Sequence, residues 1–516
     1  MRNARVAAFL TAAALVSLAG CRSAQVRRSD EIARFKKEMQ VRTAALEVDP
    51  AVPLTMERCV EIALQNSLDY RVSKLREKLQ DEQVRIAFSD FLPKPGASYA
   101  ATRRSNEALL NQGGVTLETE DRNQQSFNVQ AVLPILDWGS TYYAYQNAKD
   151  RRLQERLAVQ RAGQTLVRDV RVAYARLASL QRQERLARVG LFAARELLRT
   201  AQSLEREGLG AHAETASVEA SLAQAALQWS TIRRGVEQTR LALAQLMSFP
   251  AGTAFSIVDM APLAPPLLAP ADIPALEESA LGARPELLIQ DRERRIAANT
   301  VRKQFAQFLP RVDGAGSYDW LSQSGLVNPG FFRFGVLVTH SLLSGGEDIW
   351  RYRLDRKAAT VEEERALLLS LAILYDVDFR VLQVYTAYDA VVTREAVVRS
   401  QQEALKQIIS LYLQGFETGI DAARSLAEMY LARLQLDQVQ TDYQVAWYEL
   451  QAAALSEAEK PAPPSETGAV PPPPPVYQPA PSLDTLKKML ELAPPIDLRQ
   501  FPELQELLNP GGNVPK

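Results

Sequence analysis

Phe91-Leu92-Pro93 returns as Phe308-Leu309-Pro310, 217 positions later. Ala63-Leu64 returns as Ala280-Leu281 at the same offset. Further on the offset becomes 207: Leu136-Asp137-Trp138-Gly139 aligns with Leu343-Ser344-Gly345-Gly346, Asp169-Val170 with Asp376-Val377, and Gly208 with Gly415. Two halves therefore share one plan, with a net ten-residue indel between Pro93 and Leu136. Each unit runs to about 200 residues, well beyond solenoid periods, so it reads as two fused copies of one structural hairpin.

Working outward from the Phe-Leu-Pro junctions, the apolar period changes. Upstream it is helical, from Leu54-Thr55 through Val60 and Leu75 to Phe91, with Thr55 as N-cap and Pro93 and Pro95 as the stop. Downstream it becomes two. In Ser126–Leu133 the apolar set is Phe127, Val129, Ala131 and Leu133, and the polar set is Ser126, Asn128 and Gln130. The second copy offers Phe334, Val336, Val338 and His340. Tyr99 with Ala101, and Tyr318 with Trp320, fit partner strands. Their connections, Ser105–Gln125 and the shorter Ser322–Gly330, read as polar loops.

Aromatic residues flank these strands: Trp138, Tyr142 and Tyr143 in one copy, Trp320, Phe331 and Trp350 in the other. Amphipathic strands with aromatic ends are the pattern of a membrane barrel. Four strands cannot close one, and an open sheet in lipid leaves its edges unsatisfied. The barrel is therefore expected to be shared between chains. Two copies give eight strands and three give twelve.

From Gly139 to Glu207 the chain has no Pro, and Leu166, Val170, Ala173, Leu177 and Leu180 repeat at coiled-coil spacing. A helix of that length spans on the order of 100 Å. After a turn at Gly208-Leu209-Gly210, the returning helix carries two apolar stripes. Ala216, Ala220, Ala223 and Leu227 form one, and Val218, Leu222, Ala225, Trp229 and Ile232 form the other, on nearly opposite sides. Such a helix packs on two neighbours, as a wall does. The second copy predicts a long helix from Gly346 to Gln414, a turn at Gly415 to Gly419 and a return helix to Ser456.

The fold class is thus mainly α with a membrane β-barrel contribution, a duplicated helix–β-hairpin–long helix–helix plan. The domain reading places a signal peptide at 1–20, a lipidated tether at 21–53 and a first repeat at 54–248. A Pro-rich linker at 249–274, a second repeat at 275–456 and a Pro-rich tail at 457–516 follow. At the N-terminus, Arg2 and Arg5 precede an apolar run from Val6 to Leu18, too short for a stable anchor. It ends Leu18-Ala19-Gly20-Cys21, which resembles the bacterial lipoprotein box and implies cleavage before Cys21 and lipid on its thiol. On the same resemblance, where an Asp after the Cys often means inner-membrane retention, Arg22 implies the outer membrane. Cys59 reads as a small buried hydrophobe.

A formal net charge of −1 gives no electrostatic case for nucleic acid. The two histidines, His212 and His340, have no ligand or nucleophile neighbours in sequence, no phosphate loop is present, and no enzyme, metal or cofactor is expected.

These features together, in order and in duplicate over about residues 54–456, resemble the TolC-like outer-membrane efflux proteins, of the lipoprotein branch. The resemblance implies a homotrimer: a shared twelve-stranded barrel in the outer membrane above a helical tube crossing the periplasm. It implies a channel of a tripartite export system, fed by an inner-membrane transporter through a periplasmic adaptor. It also implies adaptor contact at the hairpin tips, Gly208, Leu209, Gly415 and Phe416, and a periplasmic gate near Asp421, Arg424, Glu417 and Glu214. The family's second inward acid, nine positions after the turn Gly, is here Arg424. A periplasmic coiled-coil lipoprotein of structural or adaptor type, without a pore, is the competing reading.

Overall fold

The computed structural model of the protein describes residues 24–454, except 46–51, 106–107, 113–114, 121–122, 209, 251, 261–268, 270–271, 323–326, 341–344, 415 and 417–418. The lipid-box Cys21, the tip residues Leu209, Gly415 and Glu417, and the Pro-rich tail lie outside the described residues.

Helix α1, Ala24–Ala45, occupies most of the stretch expected to be a tether. The helix expected from Thr55 to Phe91 is two helices, α2 (Met56–Asn66) and α3 (Leu68–Ser89). Thr55 does cap α2, its Oγ1 accepting from the Arg58 N–H at 3.2 Å. The break at Ser67 was hidden because apolar periodicity runs through it. Ser67 leaves helical geometry at φ −55°, ψ 124°, and its hydroxyl caps α3. The second copy breaks identically: α6 (Ile273–Ala283) gives way to α7 (Pro285–Ala306) at Arg284, φ −65°, ψ 124°. Proline at the first position of α7 suits this restart, since its missing N–H is not needed there. The N–H groups of Ser67 and Arg284 donate to the carbonyls of Ala63 and Ala280, and both alanines are fully buried. The repeated Ala-Leu is therefore the last turn before a duplicated corner.

Four strands form one antiparallel sheet in the order β1 (Lys94–Arg103), β4 (Asn123–Leu136), β5 (Arg311–Leu321), β6 (Gly330–Thr339). His340 follows β6 rather than ending it. One expectation is corrected: the Ser105–Gln125 connection is not a plain loop. It holds a separate hairpin, β2 (Ala108–Gln112) and β3 (Val115–Glu120). In the sequence, Gly113-Gly114 between two short runs is a hairpin signal.

Strand β4 runs into α4 (Ser140–Arg206) through a tight corner in which Trp138 and Gly139 both have positive φ, 55° and 87°. Asp137 holds this corner. Its carboxylate accepts from the N–H groups of Gly139 (3.1 Å) and Thr141 (2.7 Å), while Trp138 Nε1 donates to the Pro310 carbonyl at 2.8 Å. The Leu-Asp-Trp-Gly motif is thus the strand-to-helix joint. Helix α5 (His212–Leu246) returns along α4, and in copy two α8 (Gly345–Leu413) is followed by α9 (Gly419–Ala454).

The two cores are equivalent at the expected offset. Leu166, Val170, Leu177 and Leu243 in copy one correspond to Ile373, Val377, Val384 and Leu450 in copy two, all buried. The segment after α5 is more than a linker. Phe249, Phe255 and Ile257 join the first core, Leu54 and Ile257 form a parallel bridge, and the Tyr174 hydroxyl meets the carbonyls of Leu54 and Val258. Cys59 sits in the same core, where burial and then the charge of Glu57 push its thiol up to about 12. It carries no appreciable thiolate at neutral pH.

Candidate functional site

Strand registers divide the sheet into two faces. Phe127 pairs with Trp320 and Val129 with Tyr318, while β6 adds Phe332, Phe334, Val336 and Val338 to the same side. Gly314 and Gly316 leave room there for Ile135 and Phe334, which lie 3.0 and 3.3 Å from where a Cβ would stand. The opposite face carries Ser98, Ser126, Asn128, Gln130, Asp319 and Arg333. One face is built for lipid and the other for water. Among the described residues no helix is long and apolar enough to cross a membrane.

Below the sheet the long helices form two rows, with α2 packed on α4 and α6 on α8 and α9. In the upper row α4 packs against α3 and α7, and α7 against α8. In the lower row α4 packs against α5 and α9, and α9 against α8. Among the described residues α3 and α8 stand at the ends of the upper row, and α5 and α8 at the ends of the lower one. Of the two stripes expected on the return helix α5, that of Val218 and Ile232 is buried within the chain. The stripe of Ala216, Ala220, Ala223 and Leu227 is exposed. On α8 the residues Leu354, Val361, Leu368, Tyr375 and Leu382 are exposed at seven-residue spacing, and on α3 so are Leu68, Val72, Leu75 and Leu79.

At the tip of the first hairpin, Gly208 follows the end of α4 with φ 73°, a left-handed position that glycine takes without strain. His212 Nδ1 lies 2.7 Å from Glu205 Oε1. The hydrogen bond to Glu205 raises the His212 pKa above its ordinary 6.5. Glu214 and Asp421 stand in the first turns of α5 and α9, where a helix favours an acid. Arg424 Nη1 is 3.9 Å from Asp421 Oδ1 on the same helix, both partly exposed. Phe416 is exposed, and Ile420 packs with Leu197, Ala201 and Val218, joining the second tip to the first.

Sequence reasoning missed a buried cluster higher in the wall. Asp437 on α9 accepts from Ser179 Oγ (2.5 Å), Arg182 Nε (2.6 Å) and Gln183 Nε2 (3.2 Å) on α4. Arg182 also reaches the Met260 carbonyl and Asp259 after the first repeat. The signal available was a departure from duplication: the equivalents of Asp437 and Arg182 are Ser230 and Asp389.

Rows of long helices with exposed apolar stripes on α3 and α8, ending in a sheet with one apolar and one polar face, define the class of a membrane pore wall. The sequence profile of the family described as "Outer membrane efflux protein" matches residues 59–248 and 276–454. The chain belongs to that family. Its members are channels, so the protein is an outer-membrane efflux channel and carries no catalytic chemistry. It is 24% identical over 417 residues to the pyoverdine export outer membrane protein OpmQ of Pseudomonas putida, covering 76% of this chain and 85% of that one. It is 25% identical over 364 residues to the alkaline protease secretion protein AprF of Pseudomonas aeruginosa, covering 66% and 72%. Its fold is similar to that of the Campylobacter jejuni CmeC outer membrane channel, with TM-score 0.67, 16% identity and coverage of 77% and 85%. It is also similar to VceC of Vibrio cholerae, with TM-score 0.65, 16% identity and coverage of 77% and 95%.

Proposed function

We propose that three copies of this chain close into one tube, a shared twelve-stranded barrel above a helical duct. The observation that carries this is the matched pair of open edges in every layer: β1 and β6 in the sheet, α3 and α8 above, α5 and α8 below. Edges of different kind join head to tail, and such contacts close into rings. Unpaired strand edges cannot stay in lipid, which forces closure. Two copies would give eight strands, a barrel that side chains fill, whereas a passage needs a wider ring.

In this reading the duct receives cargo from an inner-membrane transporter through a periplasmic adaptor seated at the hairpin tips near Gly208, Leu209, Gly415 and Phe416. Asp421 and Arg424 tune the opening there, beside Glu214 and Glu417. We assign residues 1–20 to a removed signal and Cys21 to a lipid anchor in the outer membrane, followed by the tether to residue 53. The repeats at 54–248 and 275–456 are joined by 249–274, and residues 457–516 form the tail. The wall itself is a general passage, with selection left to the transporter.

Planar-bilayer recording tests this. Purified protein should give stepwise ionic conductance. Insertion without conductance steps would leave only a structural lipoprotein.

A further inference from the structure

The joint between the sheet and the long helices carries a duplicated aromatic cluster. Phe88, Phe91 and Tyr145 meet with ring centroids 6.2, 6.0 and 5.8 Å apart. Phe305, Phe308 and Tyr352 meet at 6.2, 6.3 and 6.1 Å. The offsets 217 and 207 relate the two triads residue by residue. Phe88 and Phe305 are half exposed.

The side of the helices on which this belt continues follows from spacing. Val170, Gly163, Arg156, Lys149 and Tyr142 lie along one line of α4 at seven-residue steps, which a supercoiled helix keeps on one face. Val170 packs with Cys59 and Ile62 of α2, and Gly163 faces the Tyr70 ring. In copy two the same line carries Val377, which packs with Ala280 of α6, and then Arg356 and Ile349. Helices α2 and α6 leave a duct clear only when they stand outside it, so this line is the outer one. Lys149 and Arg356 lie on it one turn beyond Tyr145 and Tyr352.

Both cations are exposed, and among the described residues neither has a carboxylate partner. Lys149 Nζ sits 5.2 Å from the centre of the Tyr145 ring, and the Arg353 guanidinium carbon 5.1 Å from that of Trp350. Four acids of this level are held by other cations: Asp90 by Lys94, Asp81 by Arg152, Asp150 by Arg292 and Arg295, and Glu347 by Arg351. Asp355 takes the place of the buried Ala148, off the outer line. Helices α4 and α8 both start at the membrane end, and helical side chains lean toward the start of their helix. Lys149 stands nine residues into α4, on the order of 13 Å from the joint. The headgroup layer takes up about 5–7 Å of that depth, and the upward-leaning stems span the rest.

We propose that this outer collar binds anionic phospholipid of the periplasmic leaflet, with the aromatic triads at the glycerol level and Lys149, Arg353 and Arg356 at the headgroup phosphates. This rests on the trimeric-channel reading. Two features select the occupant. The collar continues the apolar face of the sheet, so its neighbour is lipid. Its cations lack internal partners, so a headgroup with net negative charge complements them, whereas a zwitterionic headgroup brings a competing ammonium.

The test is quenching of tryptophan fluorescence by brominated lipid. The full-length protein is placed in vesicles of equal dioleoylphosphatidylglycerol and dioleoylphosphatidylcholine, with one or the other lipid brominated. Exposed Trp138 and Trp350 report from the collar. The wild type should be quenched more strongly when phosphatidylglycerol carries the bromine. Lys149→Gln with Arg356→Gln should lower the ratio of the two binding constants about fivefold, and Lys149→Arg with Arg356→Lys should keep it. If the double glutamine variant does not insert, each single variant carries the same test. A wild type quenched equally by both lipids, or a glutamine variant with the wild-type ratio, overturns the collar and leaves the channel standing. Absence of conductance steps from the wild-type preparation overturns the channel reading and the collar with it.

Discussion

Arg182 donates through Nε to Asp437 Oδ1 at 2.6 Å, tying the long helix of the first repeat to the return helix of the second. Both side chains are mostly buried, at 16% and 11% exposure. Ser179 and Gln183 complete the acid's shell, so the charge is fully satisfied. Breaking such a pair takes the better-buried carboxylate from a mostly buried arginine, which keeps only the more exposed Asp259 and the Met260 carbonyl, at a cost of about 3 kcal/mol. Asp437→Ala should therefore lower the Tm of the detergent-solubilised protein clearly. In a double-mutant cycle, Asp437→Ala and Arg182→Ala should fall short of additivity by about 0.5–3 kcal/mol. Additive effects would mean that the two side chains do not act as a unit.

The duplication makes a matched pair of predictions. Leu243 and Leu450 occupy equivalent places in the two cores, and both are essentially inaccessible. Leu243→Ala and Leu450→Ala should each cost about 2–5 kcal/mol. Chemical denaturation of the two variants checks this. A large effect at one position and none at the other would break the equivalence.

His212 and Glu205 give the first tip a pH-dependent contact. The hydrogen bond and charge of Glu205 raise the His212 pKa, so its stabilising contribution is fully present below 6.5 and is lost as pH rises through the higher folded value. Hydrogen bonds from Thr215 and then His212 lower the Glu205 pKa below 4.5, so that contribution is lost as pH falls through the lower folded value. The contact is therefore strongest between those limits. With only two histidines in the chain, an NMR titration of labelled imidazole resolves each. The His212 midpoint should lie above 6.5 and return toward it in Glu205→Gln. An unchanged midpoint in that variant would remove the contact from the account.

Asp421 and Arg424 are 3.9 Å apart and partly exposed, so the pair adds at most about 1 kcal/mol to stability. Its expected effect is on passage. Exchanging the two charges should leave the Tm nearly unchanged and alter single-channel conductance or ion selectivity. Unaltered conductance and selectivity would remove these residues from the gate.

The plan was legible because duplication exposed it. Equal offsets from Leu136 to Glu214 anticipated long helices of matched length, 67 and 69 residues here. The strands were legible because one face is apolar and the other polar. The break at Ser67 was not, because a single residue leaves helical geometry without disturbing the apolar period on either side. The Asp437 cluster was not, because Asp437 and Ser179 lie 258 positions apart and only packing brings them together.

The central claim is head-to-tail closure of three copies, and the internal symmetry says which residues meet. Gln154 on α4 donates to Glu293 on α7 at 2.6 Å within one chain. The same two offsets map this contact onto Val361 on α8 and Arg76 on α3 of the next copy, both exposed here. A protein carrying Val361→Cys and Arg76→Cys, treated with a bismaleimide that bridges roughly the 8–10 Å between packed helices, measures the closure directly. Buried Cys59 stays unreactive. The account predicts a denaturing-gel ladder of one, two and three linked chains that stops at three. A protein that does not cross-link, or a ladder that ends at two or runs past three, would contradict it.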